Sequence, residues 1–116
     1  MDQNSYKNLI VWQKSVELAV EIYRLTDKFP GSELYGLTFQ MRRAAVSIPS
    51  NIAGGRRRLT QKEFIHFLTI SYGSGAELET QLEISKKLSF SKNLDYTKIE
   101  QLLEEIMKML NKLINK

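Results

Sequence analysis

The sequence of 116 residues contains no cysteine, two prolines and a single histidine. Without cysteine, disulfide bonds, thiolate metal sites and cysteine nucleophiles are all excluded, and a reducing compartment is favoured. No apolar run approaches the roughly 18 residues that a membrane-spanning helix needs. Residues 1–10 also lack the basic flank and apolar run of a secretory signal. We therefore expect a cytoplasmic protein with no membrane segment.

The rest of the composition is typical of a globular protein. Hydrophobic residues make up 42% of the chain and charged residues 26%, which argues against a disordered or fibrous protein. The length predicts one domain over residues 1–116. A domain of this size buries only a modest core, so assembly into an oligomer would add buried surface.

The net charge of +4 is concentrated in residues 42–62, which read RRAAVSIPSNIAGGRRRLTQK. This stretch has no acidic residue, whereas the rest of the chain has more acidic than basic residues. Its basic residues are Arg42, Arg43, Arg56, Arg57, Arg58 and Lys62. Because a local patch suits an anionic partner better than a diffuse excess of charge, these six are the predicted nucleic-acid-binding residues.

Apolar residues recur at helical spacing through most of the chain, and no strand pattern is present. The spacing predicts helices over residues 7–28, 34–54, 61–88 and 95–114. Pro30 and Gly31 break the first pattern, Thr60 and Glu63 form a capping box, and Asp95 is a suitable N-cap. Short connections between four helices predict an all-α, antiparallel up-down-up-down four-helix bundle.

The first predicted helix has two apolar stripes, one through Val16, Val20 and Tyr23 and the other through Leu18 and Ile22. At the helical repeat they merge into an apolar arc of roughly 220°. That arc is wider than one small core requires. We infer that the first helix is covered both by its own bundle and by a neighbouring subunit.

Proline and glycine interrupt the second and third helices. Pro49 predicts a kink or an end to the second helix, and serine hydroxyls near it can satisfy the backbone carbonyl that it frees. Gly54 and Gly55 predict a flexible C-terminal end to that helix. Gly73 and Gly75 each cost a helix about 1 kcal/mol relative to alanine, so we expect another backbone to approach there.

No enzymatic motif is found. The chain has no HExxH sequence and no glycine-rich phosphate loop, so we expect no enzyme, no catalytic residue and no cofactor. The lone His66 follows Glu63 at the Glu-x-x-His spacing of di-metal bundles, but those proteins use the pair twice, so no metal site is expected. The other side chains that could in principle meet in a bundle core and bind a metal are Asn51, Glu77, Glu79 and Glu83.

Four segments resemble the four-helix bundle proteins encoded in intervening sequences of bacterial 23S rRNA genes. They are VWQKSVELAVEIYRLTDKFP, ELYGLTFQMRRAAVSIPSNIAGG, KEFIHFL and GSGAELETQLEISKKL, together spanning roughly Leu9 to Leu88. The resemblance implies a cytoplasmic, non-enzymatic bundle that assembles as a ring-like homopentamer. That family is also similar to the accessory protein of diversity-generating retroelements, a basic pentamer that binds nucleic acid and a reverse transcriptase.

The leading hypothesis is an oligomeric bundle that binds nucleic acid, structured RNA in preference, through its arginines. Forked guanidinium donors suit phosphates, and affinity would come from counterion release. The stretch itself contains no aromatic residue, which argues against recognition of single strands by stacking. The alternative is a protein-interaction scaffold whose arginines bind an acidic partner or other subunits. Arg42 and Arg43 fit either role.

Overall fold

The computed structural model describes residues 5–116. Within that range the chain forms four α-helices and no β-strand: α1 (Ile10–Thr26), α2 (Leu37–Arg56), α3 (Gln61–Ser85) and α4 (Thr97–Ile114). The predicted all-α class is confirmed. The expectation about residues 1–10 rests partly on residues 1–4, which lie outside the described residues.

The helices run up and down in turn. Each packs on the helix before it, and α4 closes the bundle against α1. The molecule measures 46 × 24 × 20 Å. Its two ends are therefore well separated, and the α2–α3 connection lies at the end opposite the α1–α2 and α3–α4 connections.

Both of the first two helices begin later than the periodicity predicts, because short 3₁₀ turns precede them. Tyr6–Asn8 forms the first turn, after which Leu9 is extended and α1 begins at Ile10 instead of residue 7. Gly31–Glu33 forms the second. The Glu33 carboxylate accepts the Leu37 amide N–H at 3.2 Å and so marks the start of α2.

The end of α3 and the start of α4 also differ from the predicted helix bounds. Helix α3 stops at Ser85, three residues before the predicted end, and α4 starts at Thr97. Asp95 lies one residue before the N-cap, but its carboxylate accepts the Thr97 amide N–H at 3.0 Å. This hydrogen bond holds the pKa of Asp95 below its usual value, because it favours the charged form.

One stripe of α1 fills the core and the other is left at the surface. Leu18 and Ile22 are fully buried, whereas Val16, Val20 and Tyr23 are exposed. Beside them on α2 lie the exposed Phe39 and Val46, and Tyr23, Phe39 and Val46 line one apolar groove. We call the surface formed by these five exposed residues the outer apolar face: Val16, Val20, Tyr23, Phe39 and Val46.

Helix α2 does not end at Pro49 but continues to Arg56, which leaves the kink as the remaining alternative of the prediction. The side chains near the proline form a polar link between helices. Ser71 of α3 donates to the backbone carbonyl of Ile48 at 2.9 Å, and the Ser74 and Ser47 hydroxyls are also 2.9 Å apart. Small hydroxyl side chains thus join α2 to α3 without separating them.

The prediction of a flexible C-terminal end at Gly54 and Gly55 is wrong, because both residues lie inside α2. Gly55 is buried against α3, where an added Cβ would lie 2.6 Å from Cβ of Phe67. At Gly75 the close neighbour is the Met107 side chain of α4 and not a backbone. These two glycines therefore permit tight packing between helices.

Candidate nucleic-acid interface

The antiparallel order of the helices brings three segments together at one end of the bundle. These are the C-terminal end of α2, the N-terminal end of α3 and the turn at Tyr6–Asn8. They carry four of the six predicted site residues, and we call this region the basic end: Arg56, Arg57, Arg58 and Lys62. Arg42 and Arg43 lie elsewhere, since Arg42 precedes Arg56 by 14 positions in α2, which is about 20 Å along the helix.

Each arginine of the basic end lies over an aromatic ring. The guanidinium carbon is 5.5 Å from the Phe64 ring centroid for Arg56, 5.4 Å from Tyr6 for Arg57 and 4.6 Å from Phe67 for Arg58. A guanidinium over a ring is attracted by the ring's electron density while its N–H groups remain available at the edge. The three cations are therefore held near the protein surface.

Arg57, Arg58 and Lys62 have no acidic partner within the part of the chain that the structure describes. Across residues 5–116, no carboxylate lies within ion-pair distance of any of the three. All three side chains are exposed. Their charge is therefore directed to solvent and is available to an anion.

Arg42 is in a different situation, because its guanidinium joins α2 to the end of α1. It donates to Thr26 Oγ1 at 2.9 Å and to the Asp27 carboxylate at 3.0 Å, and it lies 4.5 Å from the centroid of the Tyr23 ring. Arg43 is exposed beside the outer apolar face and lines the same groove as Tyr23. The structure thus separates this pair from the basic end by distance and by environment.

The aromatic residues of the basic end were missed by sequence reasoning. Residues 42–62 contain no aromatic side chain, but the fold supplies Tyr6 from the first turn and Phe64 and Phe67 from α3. The argument against stacking therefore applies to the stretch alone and not to the folded surface. Phe64 and Phe67 follow the capping box within two turns of α3. Their closeness in sequence to Arg58 could have predicted aromatic side chains beside the arginines. The tip of the connection also presents Leu59, which is 99% exposed.

The acidic side chains considered above for a metal are dispersed along the surface of the bundle. In residues 5–116, no three His, Asp or Glu side chains converge in a way that could hold a metal ion. Glu77, Glu79 and Glu83 all lie at the surface of α3 and do not point into the core. None of the helices described combines the length and apolarity needed to cross a bilayer.

A groove between α3 and α4 is lined by four glutamates. Its volume is about 440 Å³, and Tyr72 and Met107 add apolar surface to it. The carboxylates are those of Glu79, Glu83, Glu100 and Glu104, and Lys108 is the one basic residue of the lining. Lys86 pairs with Glu83 and Glu100, and Lys108 pairs with Glu104, so the groove keeps a smaller excess of negative charge. This acidic groove lies on the opposite side of the bundle from the α1–α2 pair that carries Arg43.

Comparison with known proteins identifies a family and similar solved structures. Residues 7–112 match the family described as 23S rRNA-intervening sequence protein. A crystal structure of a protein of unknown function from the S23 ribosomal protein family of Bacteroides thetaiotaomicron has 25% sequence identity and a TM-score of 0.76. The match covers 92% of this chain and 100% of that one. No curated protein matches the chain.

Proposed function

Because the chain belongs to the family of 23S rRNA-intervening sequence proteins, we propose that it is a non-enzymatic bundle that binds structured RNA through its basic end. The observation that carries the proposal is the pair Arg57 and Arg58, two cations held over aromatic rings with no acidic partner among residues 5–116. Lys62 adds a third cation beside them. A phosphate backbone supplies closely spaced anions, and binding releases the counterions around it.

Binding of RNA through phosphate contacts depends on charge and shape. Arginine forks bind phosphate oxygens in pairs, and such contacts position a protein on RNA without selecting a base. The binding constant should therefore fall steeply as salt is added. The absence of cysteine agrees with a cytoplasmic location, where such RNA is found.

The Arg57→Ala, Arg58→Ala double variant tests the proposal. With a fragment of 23S rRNA as the probe, we expect about tenfold weaker binding and a slope of log K against log salt smaller by about two, because two phosphate contacts are lost. Fluorescence anisotropy across a salt series measures both. Arg56 is left intact because it is half-buried over Phe64, and its removal would disturb packing.

The matched control is Lys87→Ala, Lys92→Ala, which removes the same charge from two exposed lysines at the opposite end of the bundle. It should leave the salt slope almost unchanged. Equal binding by the Arg57, Arg58 variant and the wild type would contradict the proposal. If that variant instead changed only the mass of the assembly, the arginines would serve a protein-interaction scaffold.

The proposal includes assembly through the outer apolar face. Its five side chains are exposed on α1 and α2, and Tyr23, Phe39 and Val46 line one groove together with Arg43. The acidic groove between α3 and α4 offers a surface of opposite charge on the other side of the bundle. Two different faces that fit each other make a head-to-tail contact. Where the rotation between subunits closes, such contacts form rings such as the homopentamer that the family resemblance implies.

A Val20→Glu, Val46→Glu double variant is expected to dissociate this assembly, because two carboxylates would be buried opposite the acidic groove. Light scattering should give a mass near the 13.4 kDa of one chain, against about five times that mass for the wild type. Ile70→Glu is the control, since Ile70 is similarly exposed but lies on the outer surface of α3. A wild type that is already monomeric would refute the assembly and leave the RNA proposal standing.

A further inference from the structure

A cleft of about 780 Å³ opens beside Arg58 at the start of α3. Its lining combines two cations, one carboxylate, one hydroxyl and two rings: Arg58, Lys62, Glu63, Thr60, His66 and Phe67. A site for a bare phosphate has no use for a carboxylate or for rings. The lining thus points to a ligand with a flat apolar part, an anionic part and N–H donors.

The flat surfaces of the cleft are fixed by the packing of α2 on α3. Phe67 packs against Gly54 and Gly55, whose lack of side chains lets the ring lie close to α2. The Arg58 guanidinium lies over this ring at 4.6 Å, and the His66 ring meets it edge-on at 5.9 Å with an interplanar angle of 85°. Arg58 and His66 are exposed, so both present a planar group to the cleft.

The polar groups of the cleft differ in what they can bind. Thr60 is already engaged, since its hydroxyl accepts the Glu63 amide N–H at 3.1 Å. The Glu63 carboxylate is exposed and has no ion-pair or hydrogen-bond partner among residues 5–116. Lys62, on the same turn of α3, supplies a cation for a phosphate. A carboxylate can accept two N–H groups side by side, which sets it apart from every other group here.

We propose that this cleft binds one unpaired guanine nucleotide of an RNA held by the basic end, an inference that rests on the proposed function. The base stacks on the Arg58 guanidinium, and the His66 ring lies beside it. Proteins commonly bind unpaired bases by such stacking on arginine or aromatic side chains. Lys62 binds the adjoining phosphate. Glu63 accepts the two N–H donors that guanine alone presents side by side on its Watson–Crick edge. The other bases offer that carboxylate fewer donors.

The test compares one short RNA hairpin in its fully paired form with four versions that carry a single bulged G, A, C or U. Fluorescence anisotropy at fixed salt should show about tenfold tighter binding of the bulged G hairpin than of the paired one, as expected for one stacked base. Glu63→Gln should remove the preference for G over A. His66→Ala should weaken binding of the bulged hairpins and leave the paired one unchanged.

Glu77→Gln is the control, because Glu77 is an exposed acid on the same helix outside the cleft. It should keep the guanine preference. Equal affinity for paired and bulged hairpins would overturn this inference, even if Arg57→Ala, Arg58→Ala still weakened both and so supported the proposed function. A guanine preference that survives Glu63→Gln would overturn it as well. Failure of every hairpin and of the rRNA fragment to bind would overturn both proposals.

Discussion

A Gly55→Ala variant is expected to lose about 2 kcal/mol of unfolding free energy. The added Cβ would lie 2.6 Å from Phe67 Cβ and 3.3 Å from the Phe64 carbonyl oxygen, and neither atom can move without moving α3. Overpacking of this kind costs up to about 3 kcal/mol. The better helix propensity of alanine returns about 1 kcal/mol of that cost. Urea denaturation followed by circular dichroism measures the change.

Gly73→Ala is the matched control in the same bundle. Gly73 is also inside a helix, but a Cβ placed on it meets no atom within 4 Å. This variant should gain about 1 kcal/mol from helix propensity alone. If Gly55→Ala were as stable as Gly73→Ala, the contact between α2 and α3 would have to relax more easily than its geometry indicates. Because Phe67 supports Arg58, the Gly55 variant should also bind RNA less tightly.

A Tyr96→Phe variant is expected to lose a similar amount, about 2 kcal/mol, because it removes two hydrogen bonds and leaves one buried hydroxyl donor without an acceptor. The Tyr96 hydroxyl donates to the Ser91 carbonyl at 2.9 Å. That donation uses its one hydrogen, so the Ser85 hydroxyl, which also contacts the Tyr96 oxygen, must be a donor to it. Ser85 and Ser91 are both buried. Removal of the Tyr96 oxygen therefore leaves the Ser85 hydroxyl without an acceptor, whereas the Ser91 carbonyl still accepts the Leu94 amide N–H at 3.2 Å.

Two further variants sharpen this test by chemical denaturation. Tyr35→Phe removes a hydroxyl from a side chain that is 90% exposed and should change stability by less than about 0.5 kcal/mol. Adding Ser85→Ala to Tyr96→Phe should recover part of the loss, because the orphaned hydroxyl donor is then gone. A Tyr96→Phe protein as stable as Tyr35→Phe would show that water or a side-chain rearrangement satisfies the Ser85 hydroxyl.

The periodic part of the sequence predicted the fold well, since long apolar stripes are determined locally. The all-α bundle and the family follow from those stripes and from the RRAAVSIPSNIA block, and both are confirmed. The helix starts were less accurate. Two 3₁₀ turns and the Glu33 cap depend on local hydrogen bonds that periodicity does not encode.

The candidate site was only partly predictable. The sequence identified the basic side chains, but it placed Arg42 with Arg58 because they are close in sequence. Helix α2 rises 1.5 Å per residue, so Arg42 lies far from Arg58 along the helix axis. Arg42 is also held by Thr26 and Asp27 at the end of α1. The roles of Gly54 and Gly55 were also misjudged, since only packing against Phe67 distinguishes a helical glycine in a close contact from one in a flexible end.

The sequence by itself determined that this protein is a helical bundle with a concentrated positive charge and a first helix too apolar for one small core. Local periodicity and composition suffice for those properties. The tertiary structure alone decided which cations lie together and which aromatic rings they contact. Tyr6, Phe64 and Phe67 reach Arg57, Arg56 and Arg58 because antiparallel helices bring the first turn and the start of α3 to the end of α2. Contacts between segments distant in the chain leave no periodic signal, so only the folded chain reveals them.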